Sequence, residues 1–208
     1  MLLNLAALRQ AEVAAAPFHY MAVPGILPED ALSAISNDFP DITNPGVFPL
    51  SELSYGTVFE ALVAEIRSTE LQSLLEDKFG MTLAGKPLMV TVRGRCQGRD
   101  GRIHVDSKDK LLTCLLYLNP PQWNEDGGRL RLLRGPDDME DLIAEIPPAG
   151  GSFVAFRRSE NSWHGHHPFV GARRLVMFNW LTSNTAYLKN IGRHRLSARF
   201  KGLASYVD

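Results

Sequence analysis

The chain of 208 residues carries almost balanced charge, with 22 Lys and Arg against 23 Asp and Glu, and 45% of its residues are hydrophobic. This length supports one domain with a substantial core. No apolar run approaches the roughly 20 residues of a membrane-spanning helix, and near-neutral charge argues against nucleic acid as a partner. The two cysteines have no metal-binding or redox spacing, which favours a reducing cytoplasm as the location.

Residues 1–86 predict a helical layer that supports the rest of the domain. Apolar residues at helical spacing occur in four segments, residues 1–18, 31–39, 58–66 and 71–79. Ser68 and Thr69 can cap the last of these helices at its start, and Gly80 can close it. We expect no catalytic residue in this part of the chain.

From Pro87 onward, short apolar or alternating segments are divided by Gly, Pro, Asp and Asn, which is typical of strands. The predicted strands are residues 88–93, 102–105, 111–118, 129–133, 144–146, 152–156, 162–164 and 174–181. Many short strands without helices between them predict an antiparallel sandwich or small barrel over residues 87–183. The basic tail, residues 184–208, predicts a solvated helix face without a catalytic role.

A possible metal site involves His104, Asp106 and His164. In a strand, residues two apart point to the same face, so His104 and Asp106 would project together. Two imidazoles and one carboxylate that leave three positions open form the set of ligands suited to non-haem Fe(II). His166 is the reserve candidate for the third ligand, since it would share a face with His164, but Trp163 and the preceding strand favour His164.

An arginine shares an apolar row in the last predicted strand. The row consists of Arg174, Val176, Phe178 and Trp180. A buried guanidinium needs an acid partner, and its two parallel N–H donors can bind a carboxylate in a bidentate manner. This geometry suits the distal carboxylate of a dicarboxylate such as 2-oxoglutarate. Arg173 would face the other way. A strand-end arginine that reaches solvent is the alternative interpretation of Arg174, and the choice between the two arginines stays open.

These motifs resemble the Fe(II)/2-oxoglutarate-dependent dioxygenases, in particular the prolyl 4-hydroxylase-like branch. The resemblance runs over about residues 88–181 in matching order and spacing. It is carried by His-Val-Asp at residues 104–106, Tyr-Leu-Asn at 117–119, Asp-Gly-Gly-Arg-Leu at 126–130, Pro-Pro-Ala-Gly-Gly-Ser at 147–152, Ser-Trp-His at 162–164 and Gly-Ala-Arg-Arg at 171–174.

The resemblance implies a mainly β fold with helices, a double-stranded β-helix (a jelly-roll or cupin-like barrel) buttressed by the N-terminal helices. It also implies a hydroxylase that couples decarboxylation of 2-oxoglutarate to succinate with C–H oxidation of a substrate. Fe(II) would be the cofactor and 2-oxoglutarate and dioxygen the cosubstrates, and ascorbate is a possible further cofactor. The substrate, a small molecule or a protein side chain, and the oligomeric state are not identified by the sequence.

The resemblance also assigns residues to roles. The iron ligands would be His104, Asp106 and His164, and the cosubstrate would be bound by Arg174, Tyr117, Leu115, Leu130 and Arg93. Arg93 departs from the family pattern, because several relatives have a tyrosine there. It could supplement Arg174 or, with the arginines of the following loop, accept an anionic substrate group; a solvated hairpin tip is the plainer interpretation.

Two other classes of function stay open at this point. One is a cupin-like metal-binding barrel with chemistry that does not use 2-oxoglutarate, although such a barrel has no need for a buried arginine. The other is a non-catalytic binding protein on the same fold, against which the complete set of three ligands argues.

Overall fold

The computed structural model describes residues 1–204, and it describes the side chains as far as residue 196. The helices are α1 (Leu5–Gln10), α2 (Glu29–Asn37), α3 (Thr57–Ile66), α4 (Thr69–Phe79) and α5 (Asn184–Ala204), with a 3-10 turn at Leu50–Glu52. The strands are β1 (Tyr20–Val23), β2 (Phe48–Pro49), β3 (Leu88–Cys96), β4 (Lys110–Tyr117), β5 (Leu130–Leu133), β6 (Leu142–Ile146), β7 (Phe153–Arg157), β8 (His164–Gly165) and β9 (Gly171–Leu181).

The strands form two antiparallel sheets. The major sheet has six strands in the order β1-β7-β4-β9-β3-β2, and the minor sheet has three in the order β6-β5-β8. The strand pairs that adjoin in the major sheet are all far apart in sequence, so the sheet can form only when distant segments of the chain meet. This arrangement confirms the predicted β-rich class with helices.

The major sheet is covered on both faces, and alternate residues of β9 divide between them. Val176, Phe178 and Trp180 join the core that the sheet shares with α1–α4. Leu175 lies on the opposite face, in a second core that includes Leu132 of the minor sheet. The molecule therefore has three layers, and the space between the two sheets is walled by the second face.

The helices α2–α4 confirm the predicted segments to within two residues. Ser68 caps α4, because its hydroxyl accepts a hydrogen bond from the amide of Leu71 at 3.2 Å. Gly80 ends the helix in the left-handed conformation, with φ of 56°. The predicted helix over residues 1–18 is wrong in extent, since α1 has six residues and Ala14 already pairs with Tyr20 as an isolated bridge before β1.

Three further predictions differ from the structure. Residues 102–105 do not form a strand, and only His104 pairs there, in an isolated bridge with His164. Residues 20–23 and 48–49 form edge strands of the major sheet inside the part predicted to be helical. The tail predicted to present a solvated helix face forms a helix, α5, but Ala186 and Ile191 of this helix are buried against the barrel. The side chains from residue 197 onward lie outside those described. Among the described helices, none is long and apolar enough to cross a membrane.

Candidate metal centre

A cavity of about 260 Å³ lies between the two sheets. The inward-facing residues of three neighbouring strands of the major sheet form its floor, and they are Met89, Thr91 and Arg93 of β3, Thr113, Leu115 and Tyr117 of β4, and Arg173, Leu175, Met177 and Asn179 of β9. The strand register places these residues in rows, with Asn179 opposite both Met89 and Thr113. Polar or charged residues therefore occur at both ends of the floor, and its middle row is mostly apolar.

His104, Asp106 and His164 converge at this cavity. Each offers one ligand atom, and these three atoms lie within 4.8 Å of one another. His104 and Asp106 come from the loop between β3 and β4, whereas His164 opens β8 in the minor sheet. The structure therefore brings together the three residues that the sequence predicts as metal ligands.

Backbone and side-chain contacts hold the two imidazoles side by side. The amide of His104 donates to the carbonyl of His164 and the amide of His164 to the carbonyl of His104, both at 3.0 Å. The Nδ1 atoms lie 2.8 Å from the Arg102 carbonyl and 3.0 Å from the Ser162 carbonyl, respectively. When Nδ1 carries the proton, as these contacts require, each Nε2 keeps a free lone pair for a metal ion.

Asp106 is buried, and both of its carboxylate oxygens have partners. Lys110 Nζ donates to Oδ1 at 2.6 Å, and the Thr113 hydroxyl donates to Oδ2 at 2.5 Å. Burial alone would raise the pKa of Asp106, but the charge of Lys110 and these two hydrogen bonds hold it well below its usual range. The carboxylate is therefore ionised at neutral pH, as a metal ligand must be.

His164 is held in its neutral form. Burial lowers its pKa to about 4, with His104 and Lys110 adding to the effect, while the Asp106 carboxylate and the Ser162 carbonyl oppose it. A neutral imidazole is the form that binds metal, so no proton has to leave His164 at neutral pH before an ion can bind.

The structure distinguishes His164 from the reserve candidate, His166. His166 lines the same cavity, but it is not part of the group of three converging ligand atoms. Its Nδ1 lies 2.7 Å from the carbonyl of His167. Burial and the charge of Arg173 lower the pKa of His166 to about 4. His167 points away from the cavity and contacts Arg131 and Glu140.

The prediction that Arg174 faces the site is wrong. Arg174 lies on the other side of the sheet, where it lines a separate cavity of about 510 Å³ beside α2 and its guanidinium lies 5.2 Å from the Phe39 ring. The apolar row that suggested a role for Arg174 faces the helices and not the space between the sheets. Successive residues of a strand point to opposite faces, so Arg173, which precedes Arg174 in β9, faces the space between the two sheets.

Arg173 is buried, with 5% of its surface exposed, and lines the cavity. Its Nε donates to the Gly128 carbonyl at 2.8 Å, and its Nη2 donates to the Tyr117 hydroxyl at 3.2 Å. No carboxylate among the described residues forms an ion pair with it. A buried guanidinium without an acid partner is costly, so this end of the cavity is suited to a carboxylate brought by a ligand.

The other residues predicted to bind a cosubstrate also line this cavity. Tyr117 is fully buried, and burial raises the pKa of its phenol despite the opposing charge of Arg173. Leu115 and Leu130 supply apolar wall on opposite sheets. Arg93 reaches the cavity, but its Nη1 also donates to Asp100 at 2.7 Å, so its charge is neutralised within the protein.

Several residues at the cavity were not predicted from the sequence. Lys110 is one, and its position four residues after Asp106 was an available signal. Three more are Asn190, Arg193 and His194, which line the cavity from α5. Nothing in the local pattern of α5 distinguishes these polar residues from a solvated helix face, and only the packing of α5 against the barrel reveals their position.

The donor set fits a non-haem iron ion. Two imidazole nitrogens and one carboxylate oxygen are the ligands of the facial triad, and they leave coordination positions for other molecules. The cavity that extends from these ligands also reaches Arg173, so the same space offers one place for a metal and another for a carboxylate.

Residues 92–182 match the family model described as the 2OG-Fe(II) oxygenase superfamily. Among solved structures, the chain is similar to a prolyl-4-hydroxylase from Pseudomonas putida, with 18% identity and a TM-score of 0.58 over 86% of this chain and 98% of that chain. It is also similar to a prolyl hydroxylase from Trichoplax adhaerens in complex with a peptide fragment of the hypoxia inducible factor oxygen degradation domain, with 15% identity and a TM-score of 0.58 over 81% and 86%.

A third similar structure is HygX from Streptomyces hygroscopicus with nickel and 2-oxoglutarate bound, with 14% identity and a TM-score of 0.52 over 79% of this chain and 83% of that chain. No curated protein sequence matches the chain. At these identities the solved structures show the fold, and they confirm the predicted double-stranded β-helix with supporting helices.

Proposed function

We propose that the protein is a hydroxylase that couples the conversion of 2-oxoglutarate and dioxygen into succinate and carbon dioxide to C–H oxidation of a substrate, because residues 92–182 match the model of the 2OG-Fe(II) oxygenase superfamily. One observation carries this proposal. The buried Arg173, which has no acid partner among the described residues, lines the same cavity as the converging His104, Asp106 and His164.

In this proposal His104, Asp106 and His164 hold Fe(II), which supplies the oxygen chemistry when bound. The protein fixes the two imidazoles through the Arg102 and Ser162 carbonyls. It fixes the carboxylate through Lys110 and Thr113. Because these partners are already in place, the ligands need little rearrangement to bind an ion.

Arg173 and Tyr117 bind the distal carboxylate of 2-oxoglutarate. The guanidinium gains the acid partner that the described part of the protein does not give it, and the phenol hydroxyl adds a hydrogen bond. Leu115 and Leu130 contact the methylene groups of the cosubstrate and exclude water from them. Arg93 keeps a secondary role here, because Asp100 already neutralises it.

The substrate is a small molecule or a protein side chain. The Trichoplax adhaerens structure contains a peptide fragment, which makes a peptide one candidate class for this protein. The cytoplasmic location that the cysteine content suggests stays a prediction.

Succinate formation tests the proposal. Purified protein with Fe(II), 2-oxoglutarate and oxygen should release succinate, and leaving out either iron or oxygen should stop the release. His164→Ala should abolish it. His167→Ala is the matched control, since His167 neighbours the site in sequence but lies outside the cavity. Metal and 2-oxoglutarate binding without succinate, even with a broad set of substrates, would favour the binding-protein alternative.

A further inference from the structure

The helix α5 forms part of the cavity wall. Asn190, Arg193 and His194 line the cavity from this helix, and Lys110 lines it from the start of β4. The catalytic role proposed above uses none of the three α5 residues. The barrel residues against which α5 packs, Met89 and Leu181, lie at the end of the cavity floor opposite Arg173, so these three residues are placed to contact the substrate and not the distal carboxylate of 2-oxoglutarate.

Specific contacts fix α5 in this position. Ala186 and Ile191 are buried against Met89 and Leu181 of the barrel. The buried Asn190 amide donates to the Asp109 carboxylate at 3.2 Å. Further along the helix, Arg195 lies outside the cavity and makes only an exposed contact with Ser51 and Glu52, which contributes little to holding the helix. The side chains that α5 presents to the cavity are therefore held by both apolar and polar contacts.

The charges of the proposed machinery cancel one another. The two positive charges of Fe(II) and one of Arg173 offset the single negative charge of Asp106 and the two of 2-oxoglutarate. Arg93 adds no net charge, because it forms an ion pair with Asp100 at 2.7 Å. With Fe(II) and 2-oxoglutarate bound, the charges of these groups therefore sum to zero, and the other cations of the cavity are in excess.

Lys110 and Arg193 remain as uncompensated cations. The acid partner of Lys110 is Asp106, whose charge the metal already offsets. Arg193 donates from Nη2 to the Asn190 side-chain oxygen at 2.9 Å, and no described carboxylate forms an ion pair with it. Asp109, the acid near this wall, has Lys189 at 3.5 Å. The α5 side of the loaded cavity therefore keeps an excess of positive charge.

We infer that the substrate carries an anionic group, a carboxylate or a phosphate, which binds at the α5 wall to Arg193 and Lys110. This inference rests on the proposed function and names the substrate class of the same site. The cavity of about 260 Å³ is below the roughly 300–1,000 Å³ typical of pockets for drug-sized ligands. Because 2-oxoglutarate takes part of this volume, the space left at the α5 wall suits a small acid or a single anionic side chain of a larger substrate.

Anion binding tests the inference without activity as the readout. The protein is loaded with Ni(II) and 2-oxoglutarate, so that Arg173 is occupied, and inorganic phosphate and acetate are titrated separately by ligand-observed NMR. Arg193→Gln should weaken binding of the preferred anion about tenfold, as expected for the loss of a charge-assisted hydrogen bond. Arg195→Gln, which removes the same charge from the same helix outside the cavity, should leave the affinity within twofold.

The two anions separate the two chemistries, because tighter binding of phosphate indicates a phosphoryl group and tighter binding of acetate a carboxyl group. Equal affinities in wild type and Arg193→Gln, or no binding of either anion up to tens of millimolar, would overturn the inference. Failure of the proposed function is seen separately, as failure to load Ni(II) or 2-oxoglutarate. In that event the same titrations on the unloaded protein still compare Arg193→Gln with Arg195→Gln.

Discussion

Replacement of Arg173 by alanine should selectively remove 2-oxoglutarate binding. In the proposed complex the guanidinium is the acid partner of the distal carboxylate, and it is held in place by the Gly128 carbonyl and the Tyr117 hydroxyl. Arg174→Ala is the matched control, since its side chain lies on the opposite face of the same strand beside Phe39.

The expected loss can be estimated from the burial of Arg173, which is 5% exposed. Removal of one partner from a buried, hydrogen-bonded charge pair costs about 2–5 kcal/mol. A loss of about 3 kcal/mol corresponds to roughly a hundredfold weaker binding. Arg173→Lys should lose roughly tenfold, because it keeps the charge but not the bidentate fork. Arg174→Ala should change the affinity less than twofold.

Isothermal titration of 2-oxoglutarate into the Ni(II)-loaded proteins measures these differences. Arg173→Met provides a check on folding, and its free energy of unfolding without ligands should equal or exceed that of wild type, because the cation that it removes has no acid partner among the described residues. Unchanged affinity in Arg173→Ala, together with a large loss in Arg174→Ala, would refute the assignment of the carboxylate site.

Three further predictions concern the surroundings of the site. Tyr117→Phe removes the phenol oxygen that contacts the buried guanidinium of Arg173, and we expect about fivefold weaker 2-oxoglutarate binding in the same titration. An affinity equal to that of wild type would show that the hydroxyl does not contribute to cosubstrate binding. The pKa values of His164 and His166 fall from 6.5 to about 4 on folding, so the metal-free protein should have its full stability above pH 6.5 and lose up to about 3 kcal/mol per histidine as the pH falls to 4. His166→Gln should halve that loss in denaturant unfolding, and an unchanged pH dependence would contradict the assignment. Gly101→Ala should lower the free energy of unfolding by at least about 2 kcal/mol, because φ is 89° and a Cβ would meet His166. Gly85→Ala is the control, and it should lose only about 1 kcal/mol, because φ is 73° but the space around the residue is open. Equal losses in the two variants would show that the contact with His166 does not affect stability.

The candidate metal ligands could be identified because the residues that suggest them occur in short local motifs of the sequence. The two residues of the His-x-Asp motif lie two positions apart in the chain, and the distal His164 is surrounded by a recognisable motif. The predicted strand geometry, in which His104 and Asp106 point to the same face of a strand, is nevertheless wrong. His104 and Asp106 lie in a loop with only one bridge, and hydrogen bonds to Arg102, Lys110 and Thr113 orient them instead of a strand.

The choice of arginine could not be made from one strand alone. Alternation along β9 correctly separates Arg173 from Arg174, but it does not say which face of the strand meets the cavity. Both faces of the major sheet are covered, so the apolar row at Val176 and Phe178 could belong to either core. Only the position of the helical layer resolves this.

The contribution of α5 was also hidden from the sequence. Its polar residues look like those of a solvated helix, and it is the contact of Ile191 with Met89 and Leu181 that turns one side of the helix toward the cavity. Long-range packing, unlike a motif, leaves no local pattern in a single sequence. The edge strand β2 was missed for the same reason, since two residues pair only because β3 is beside them.

The most direct test of the account is anaerobic titration of Fe(II) and 2-oxoglutarate, followed by visible absorption spectroscopy. We expect a metal-to-ligand charge-transfer band in wild type and in His166→Ala, and no band in His104→Ala, Asp106→Ala or His164→Ala. Absence of the band in wild type at saturating 2-oxoglutarate, or its persistence in Asp106→Ala, would contradict the central claim that these three residues hold iron beside the cosubstrate.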